Sequence, residues 1–147
     1  MTKPKNPLNI RPFQKEDETA LVELWRICKL IVPWNNPHKD IARKLKIQPE
    51  LFLVGKLDSL LIASVMGGYE GHRGWINYLA VHPNFQGLGY GQKMMESVES
   101  ELRKRGCPKI NLQIRHGNDR VMAFYQKLGF KDDKALSMGK RLEEDHN

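Results

Sequence analysis

Three glycines lie within five residues, at Gly87, Gly89 and Gly91, directly after an apolar stretch. Glycine takes positive φ without a Cβ clash, so several backbone N–H groups of such a turn can point into one concavity. A helix that begins there adds its own unpaired N–H donors. Because this arrangement binds phosphate oxygens, we interpret residues 86–91 as a turn that holds the pyrophosphate of a coenzyme.

The spacing of these glycines excludes two common nucleotide-binding motifs. A dinucleotide fingerprint needs Gly-x-Gly-x-x-Gly, and its third glycine would have to stand where the chain has Gln92. A nucleoside-triphosphate loop needs Gly-Lys followed by a hydroxyl residue, but Gln92 and Lys93 are followed by Met94. Neither motif is present.

The periodicity of apolar residues around this turn predicts the fold class. Strands are predicted at 8–13, 51–54, 60–66, 75–81 and 110–114, with one or two short strands around 135–138. Helices are predicted after Asp17, after Asn36, after the glycine turn and after Asn118. The order β-α-α-β-β-β-α-β-α-β predicts an α/β (α+β) protein with a mixed central sheet of six to seven strands, flanked by about four helices.

Length and composition indicate one globular domain. The 147 residues are 40% hydrophobic and 28% charged, and no apolar run reaches the length of a membrane helix. Residues 1–7 have positive charge but no apolar stretch behind them, so we expect no signal peptide. Cys28 and Cys107 have neither a disulfide framework nor metal-ligand spacing. We therefore expect a cytoplasmic single domain over 1–147, without a metal, and with a frayed tail at 143–147.

The net charge of +7 is spread along the chain. Nucleic-acid binders usually gather their basic residues in a stripe, whereas here Lys and Arg alternate with Asp and Glu. We expect no nucleic-acid and no membrane partner. The surplus of positive charge would still attract a ligand with several phosphates.

Two local motifs carry a resemblance to a known family. Gln86-x-x-Gly89-x-Gly91, between a predicted strand and a predicted helix, resembles the acetyl-CoA-binding motif of the GNAT acetyltransferase superfamily. Asn118 followed by Phe-Tyr-Gln-Lys-Leu-Gly-Phe at 124–130 resembles a second motif of that family. The resemblance covers essentially the whole chain and implies the GNAT fold. Shorter segments at 32–37, 65–74 and 106–110 look like the YpeA-type bacterial acetyltransferases.

The resemblance implies acetyl-CoA as the cofactor and coenzyme A as a product. Its acetyl group would pass to a primary amine by direct attack in a ternary complex. The residues implied to contact the phosphates are Gln86, Gly87, Leu88, Gly89, Tyr90 and Gly91. The pantetheine arm would lie between Leu79, Ala80 and Val81 on one strand and Asn111, with its neighbours to 113, on the next.

Tyr125 matches the family tyrosine that gives a proton to the departing thiolate. Periodicity alone favours a packing role for it, because Tyr125 shares an apolar stripe with Val121 and Leu128. Asn118 could contact the pantetheine arm or cap the following helix.

The base that deprotonates the amine is not evident from the sequence. Many family members use a Glu on the strand that precedes the glycine turn, but 75–81 contains no acid. Glu70 as a base and Tyr78 as part of a water relay are the candidates, with His72 and His116 as further ones. The missing acid also makes a second function credible, a catalytically silent sensor that binds acyl-CoA.

The acceptor side is expected at two loops. Trp34 lies between the first two predicted helices, and His72 and Arg73 lie just before the strand predicted at 75–81. Arg73 or His72 would favour an acceptor with a carboxylate or phosphate, whereas Glu70 would favour a cation. A small-molecule amine and a protein or peptide amine remain open, as do a monomer and a homodimer.

Overall fold

The computed structural model describes residues 7–146. One mixed sheet has the strand order β1-β2-β3-β4-β5, with antiparallel pairs up to β4 and a parallel pair between β4 and β5. The strands are β1 (Asn9–Pro12), β2 (Phe52–Leu57), β3 (Leu60–Tyr69), β4 (Gly74–Val81) and β5 (Ile110–Asn111). The mixed α/β architecture confirms the prediction from the sequence.

The predicted number of six to seven strands is wrong, since the sheet has five. The segment around 135–138 forms no strand, and the side chains of Leu136 and Met138 are 84% and 88% exposed. Alternation of apolar and polar residues favours a strand, but a strand also needs a partner for its backbone groups. The strand predicted at 110–114 is likewise shortened to two residues.

The described residues form four α-helices, as expected: α1 (Glu18–Ile27), α2 (Pro37–Lys44), α3 (Tyr90–Lys104) and α4 (Asp119–Lys127). The predicted start of α2 is confirmed, because the side-chain oxygen of Asn36 accepts the backbone N–H groups of His38 and Lys39, each at 3.1 Å. Pro37 stands at the first helical position, where its missing N–H costs nothing.

Strand β3 continues past the point where the sequence predicted its end. Gly67 and Gly68 lie inside it, and it ends at Tyr69. A Cβ at Gly67 would come within 2.6 Å of the Val98 side chain on α3. The absent side chain therefore lets α3 approach the sheet closely, and Gly67 marks helix packing instead of a turn.

The described residues divide into two compact units, one from the first 111 residues together with the chain from Asp145, and the other from Leu112 to Glu144. In the first unit, Trp25, Phe52 and Ile41 are fully buried in the core. The fully buried side chains on α3 include Met94 and Val98. Within the residues described, no helix has both the length and the hydropathy to cross a bilayer.

Two residues near the chain end contact α2 or the residue that caps its start. Asp145 is 2% exposed, and both of its carboxylate oxygens accept hydrogen bonds from the Arg43 guanidinium on α2. The Asn36 side-chain amide also donates to the His146 carbonyl at 3.1 Å. The frayed tail expected at 143–147 stays a prediction. Residues 1–6, which we expected to contain no signal peptide, and Asn147 lie outside the described residues.

Candidate active site

The glycine turn between β4 and α3 is open and left-handed. Gly87 has φ of +77° and Gly89 has φ of +86°, a region that side chains disfavour. A Cβ built at either position would meet no atom within 4 Å, so the positive φ, and not crowding, is what favours glycine here. The side-chain amide of Gln86 donates to the Val81 carbonyl at 2.9 Å and ties the turn to the end of β4.

The first turn of α3 presents backbone donors at the glycine turn. Gly89 is the residue before the helix, and no side chain of the described residues caps the helix there. The first N–H groups of a helix have no intrahelical partner, and the helix dipole makes this end positive. Tyr90 is 2% exposed and anchors the turn in the core. The donor set at Gly87, Leu88, Gly89, Tyr90 and Gly91 therefore fits a pyrophosphate.

Strand β4 contains a bulge at Tyr78 and Leu79. The antiparallel register pairs Met66 with Asn77 and Ser64 with Ala80, so one residue of β3 faces two residues of β4. Tyr78 has φ of +52°, which is uncommon for a residue other than glycine. The bulge bends the strand where the sequence predicted contact with a pantetheine arm, along Leu79, Ala80 and Val81.

The parallel pairing of β4 with β5 stops before this bulge. It consists of Gly74 with Ile110 and Trp75 with Asn111. Within the described residues, β4 has no ladder partner on that side from Ile76 to Val81. Asn111 lies at the end of the paired part, where the parallel ladder stops.

A buried hydrogen-bond chain supports the bulge. The indole N–H of Trp25 donates to the Ser64 hydroxyl at 2.9 Å, and Ser64 donates to the Tyr78 carbonyl at 2.8 Å. Ser64 is fully buried, and the rings of Trp25 and Tyr78 stack with centroids 3.7 Å apart. Neither Ser64 nor Trp25 was predicted to be a site residue. The serine inside the apolar run 60–66 was the available signal.

The Ser64→Ala variant should lose about 2 kcal/mol of unfolding free energy, because it leaves the Trp25 N–H and the Tyr78 carbonyl buried without their shared partner. Urea denaturation followed by circular dichroism measures this loss. Ser100→Ala, on the exposed face of α3, is the control and should change stability by less than about 0.5 kcal/mol. Equal unfolding free energies of Ser64→Ala and Ser100→Ala would contradict a structural role for this chain of hydrogen bonds.

The hydroxyl of Tyr78 donates a hydrogen bond to the Asp40 carboxylate on α2 at 2.6 Å. Burial, together with the hydrogen bond and the negative charge of Asp40, raises the pKa of Tyr78 above its usual value. Tyr78 is therefore a neutral phenol at physiological pH. Asp40 was not among the residues selected from the sequence, because a single acid on a polar helix gives no local signal.

The loop between β3 and β4 is organised by its own hydrogen bonds. The exposed Glu70 carboxylate accepts the backbone N–H groups of His72 and Arg73, which holds the pKa of Glu70 below its usual value. The Arg73 guanidinium donates to the His72 carbonyl at 3.0 Å. Glu70, His72 and Arg73 thus form one turn, whereas the hydroxyl of Tyr78 is bonded to Asp40. Trp34, in the loop between α1 and α2, is 52% exposed.

The second unit contains the remaining predicted site residues. The Asn118 side chain accepts the Val121 N–H at 3.4 Å, so the capping role predicted for it is present. Tyr125 is buried, and its ring meets those of Phe124 and Phe130 edge to face at 5.1 and 5.5 Å. Burial raises the pKa of Tyr125 to about 12.

Comparison with known proteins identifies the family. Residues 18–130 match the acetyltransferase (GNAT) family. An acetyltransferase of Yersinia enterocolitica is 45% identical over 92% of this chain and 96% of its own length. An acetyltransferase of Pectobacterium atrosepticum is 46% identical over 94% of this chain and 98% of its own length.

Solved structures agree with this fold. The ribosomal-protein-S18-alanine N-acetyltransferase of Escherichia coli is 23% identical, with a TM-score of 0.73 over 87% of this chain and 80% of that one. The NatC complex bound to a Gag peptide and CoA contains a chain that is 20% identical, with a TM-score of 0.74 over 86% of both chains. From its sequence match to the family and its close relatives, this chain belongs to the acetyltransferase (GNAT) family, whose enzymes use acetyl-CoA.

Proposed function

We propose that this protein is an N-acetyltransferase in which a primary amine attacks acetyl-CoA directly within a ternary complex. The observation that carries the proposal is the geometry of β4: a bulge at Tyr78, an unpaired edge from Ile76 to Val81, and then the open glycine turn. In a ligand with a diphosphate and an extended arm that carries amides, the diphosphate would match the N–H donors of the turn, and the arm would match the edge of β4.

We propose separate residues for the phosphates of the coenzyme and for its pantetheine arm. Backbone N–H groups of residues 87–91 bind the phosphates, and Gln86 keeps the turn attached to β4. The backbone of Leu79, Ala80 and Val81 aligns the arm, with Asn111 and Asn118 as additional contacts. When bound, acetyl-CoA supplies a thioester carbonyl that an amine can attack.

Two proton transfers accompany the transfer of an acetyl group. We propose Tyr125 as the acid that protonates the departing thiolate; its high pKa keeps the phenol protonated throughout the neutral range. The attacking nitrogen must also lose a proton, for which Glu70 is proposed as a base and Tyr78 as part of a relay. The bonds of Glu70 to its own loop favour Tyr78 of the two.

The acceptor is proposed to approach from the loop of Trp34 and from the loop of Glu70, His72 and Arg73. One structural neighbour is described as acting on an alanine of a ribosomal protein, and another as binding a peptide. A further neighbour is a glucosamine-6-phosphate N-acetyltransferase. Both peptide amines and small-molecule amines therefore remain proposed acceptors.

A screen of amines that follows free thiol tests the proposal. We expect coenzyme A to be released above the amine-free rate with at least one acceptor class among peptides, amino acids and amino sugars. Because Cys28 and Cys107 are free thiols, each reaction needs a control with enzyme but without acetyl-CoA. Mass spectrometry of the acceptor must show one added acetyl group for each thiol released.

A sensor without turnover is the second candidate, favoured by the absence of an acid from β4 and by the engaged carboxylate of Glu70. Tight binding of acetyl-CoA by calorimetry, with no thiol release for any acceptor class, would support the sensor and contradict the enzyme. Release that is stoichiometric with acetylated product would exclude the sensor.

A further inference from the structure

The hydroxyl of Tyr78 has a fixed hydrogen-bond direction. A phenol has one proton, and Tyr78 donates it to Asp40 Oδ2 at 2.6 Å. Its ring is held by the stack on Trp25, and its backbone by the bond from Ser64. The remaining lone pairs of the Tyr78 oxygen can only accept. Beside Asp40, this oxygen is therefore an acceptor for an N–H group.

The Asp40 carboxylate lies beside Arg43, whose guanidinium donates hydrogen bonds to Asp145. Arg43 lies on the same helix, and its Nη1 is 3.7 Å from Asp40 Oδ1. The same guanidinium makes a fork of two hydrogen bonds to Asp145, with Nη2 at 2.9 Å from Oδ1. Lys39 Nζ also lies 3.9 Å from Asp145. Asp145 thus holds Arg43 in a position where it neighbours Asp40 without displacing the Tyr78 hydroxyl.

We propose that Asp40 is a positioning residue that receives the proton lost by the attacking amine, acting through the Tyr78 hydroxyl. This inference rests on the acetyl transfer proposed above. It supplies a proton acceptor for a chain whose β4 strand contains no acid. It also gives Asp145 a role, because the hydrogen bonds from Arg43 to Asp145 hold the guanidinium 3.7 Å from Asp40 Oδ1, while Asp40 Oδ2 accepts the Tyr78 hydroxyl.

The proposed step balances in atoms and charge. The amine nitrogen forms a bond to the acyl carbon, and the bond between that carbon and sulfur breaks. Before attack the nitrogen must be unprotonated, and after attack it carries one proton too many. That proton passes to the Tyr78 oxygen while the proton of Tyr78 passes to Asp40 Oδ2. A nitrogen bonded to the reacting carbon is a far stronger acid than a free ammonium, so a carboxylate is an adequate acceptor.

Steady-state kinetics with an accepted amine test the proton route. We expect Asp40→Asn to lower kcat at least about tenfold, with KM for acetyl-CoA changed by less than about twofold. Asp40→Glu should recover part of the loss because it restores a carboxylate. Tyr78→Phe should lower kcat similarly, and the double variant should be no slower than the slower single variant. Glu23→Gln, which removes an exposed carboxylate on α1, is the matched control and should retain wild-type turnover.

Nuclear magnetic resonance gives a readout that does not need turnover. With ¹³C-labelled tyrosine, the Cζ resonance of Tyr78 can be assigned by its absence from Tyr78→Phe. We expect this resonance, recorded at one neutral pH, to be displaced in Asp40→Asn relative to the wild type, because the acceptor of the Tyr78 hydroxyl changes from a carboxylate to an amide. The Glu23→Gln control should leave it in place.

The outcomes separate the inference from the proposed function. Wild-type turnover in Asp40→Asn, or multiplied losses in the double variant, would overturn the proton route alone. An unchanged Cζ resonance in Asp40→Asn would overturn the coupling of the two side chains. A wild-type protein that releases no thiol with any amine, while Asp40→Asn does displace the Cζ resonance, would refute acetyl transfer and the proton route together.

Discussion

The Gly89→Val variant is expected to bind acetyl-CoA at least about 100-fold more weakly than the wild type. Gly89 has φ of +86°, and an L-residue in the left-handed region costs about 1–2 kcal/mol, with more for a β-branched side chain. The turn would relax by rotating its N–H groups away from the phosphates. Each 1.4 kcal/mol lost is about a tenfold rise in Kd, so strain and lost donors together give the expected factor.

Calorimetric titration measures this affinity, and Gly106→Val provides a matched control. Gly106 follows the other end of α3, has φ of +78° and also has nothing within 4 Å of a built Cβ. Both variants should lose similar stability, but only Gly89→Val should lose affinity. If both bind acetyl-CoA as the wild type does, the glycine turn is not the phosphate site.

The Tyr125→Phe variant is expected to lower kcat about 100-fold, the lower end of the usual contribution of a general acid. The change removes one hydroxyl and keeps the ring that packs against Phe124 and Phe130. Affinity for acetyl-CoA should therefore change by less than about twofold, and this split between kcat and binding separates an acid from a packing residue. Assays of thiol release measure kcat, and calorimetric titration measures the affinity for acetyl-CoA.

The pH dependence of the wild type gives a second check on Tyr125. Burial raises its pKa to about 12, so the phenol remains protonated between pH 7 and pH 10. No loss of kcat in that range should arise from ionisation of this acid. Tyr69→Phe, which removes a hydroxyl that donates to the Gly71 carbonyl, is the control and should retain wild-type turnover. Equal turnover of Tyr125→Phe and Tyr69→Phe would remove Tyr125 from the mechanism.

Features set by local chemistry were predictable from the sequence. The start of α2 depends on Asn36 and Pro37, two adjacent residues with known capping preferences. The left-handed glycines at 87 and 89 were expected because only glycine adopts that conformation at no cost. The cap at Asn118 follows the same logic. In each of these cases the cause and its effect lie within a few residues of each other.

Features set by distant contacts could not be predicted. Asp40 meets Tyr78 across 38 positions, and Arg43 meets Asp145 across 102 positions. Tyr78 takes a positive φ without being glycine, so the bulge left no mark of its own in the sequence. The strand expected near 135–138 failed for the same reason, because alternation describes a side-chain pattern and not a backbone partner.

Gly67, in the interior of β3, affects the position of helix α3. Its lack of a side chain sets how near α3 lies to the sheet, since any Cβ would meet Val98 at 2.6 Å. Val98 and Gly89 are nine positions apart, which is about 13 Å along a helix. If the glycine turn binds the coenzyme as proposed, a side chain added at Gly67 should weaken that binding by displacing the helix that follows the turn.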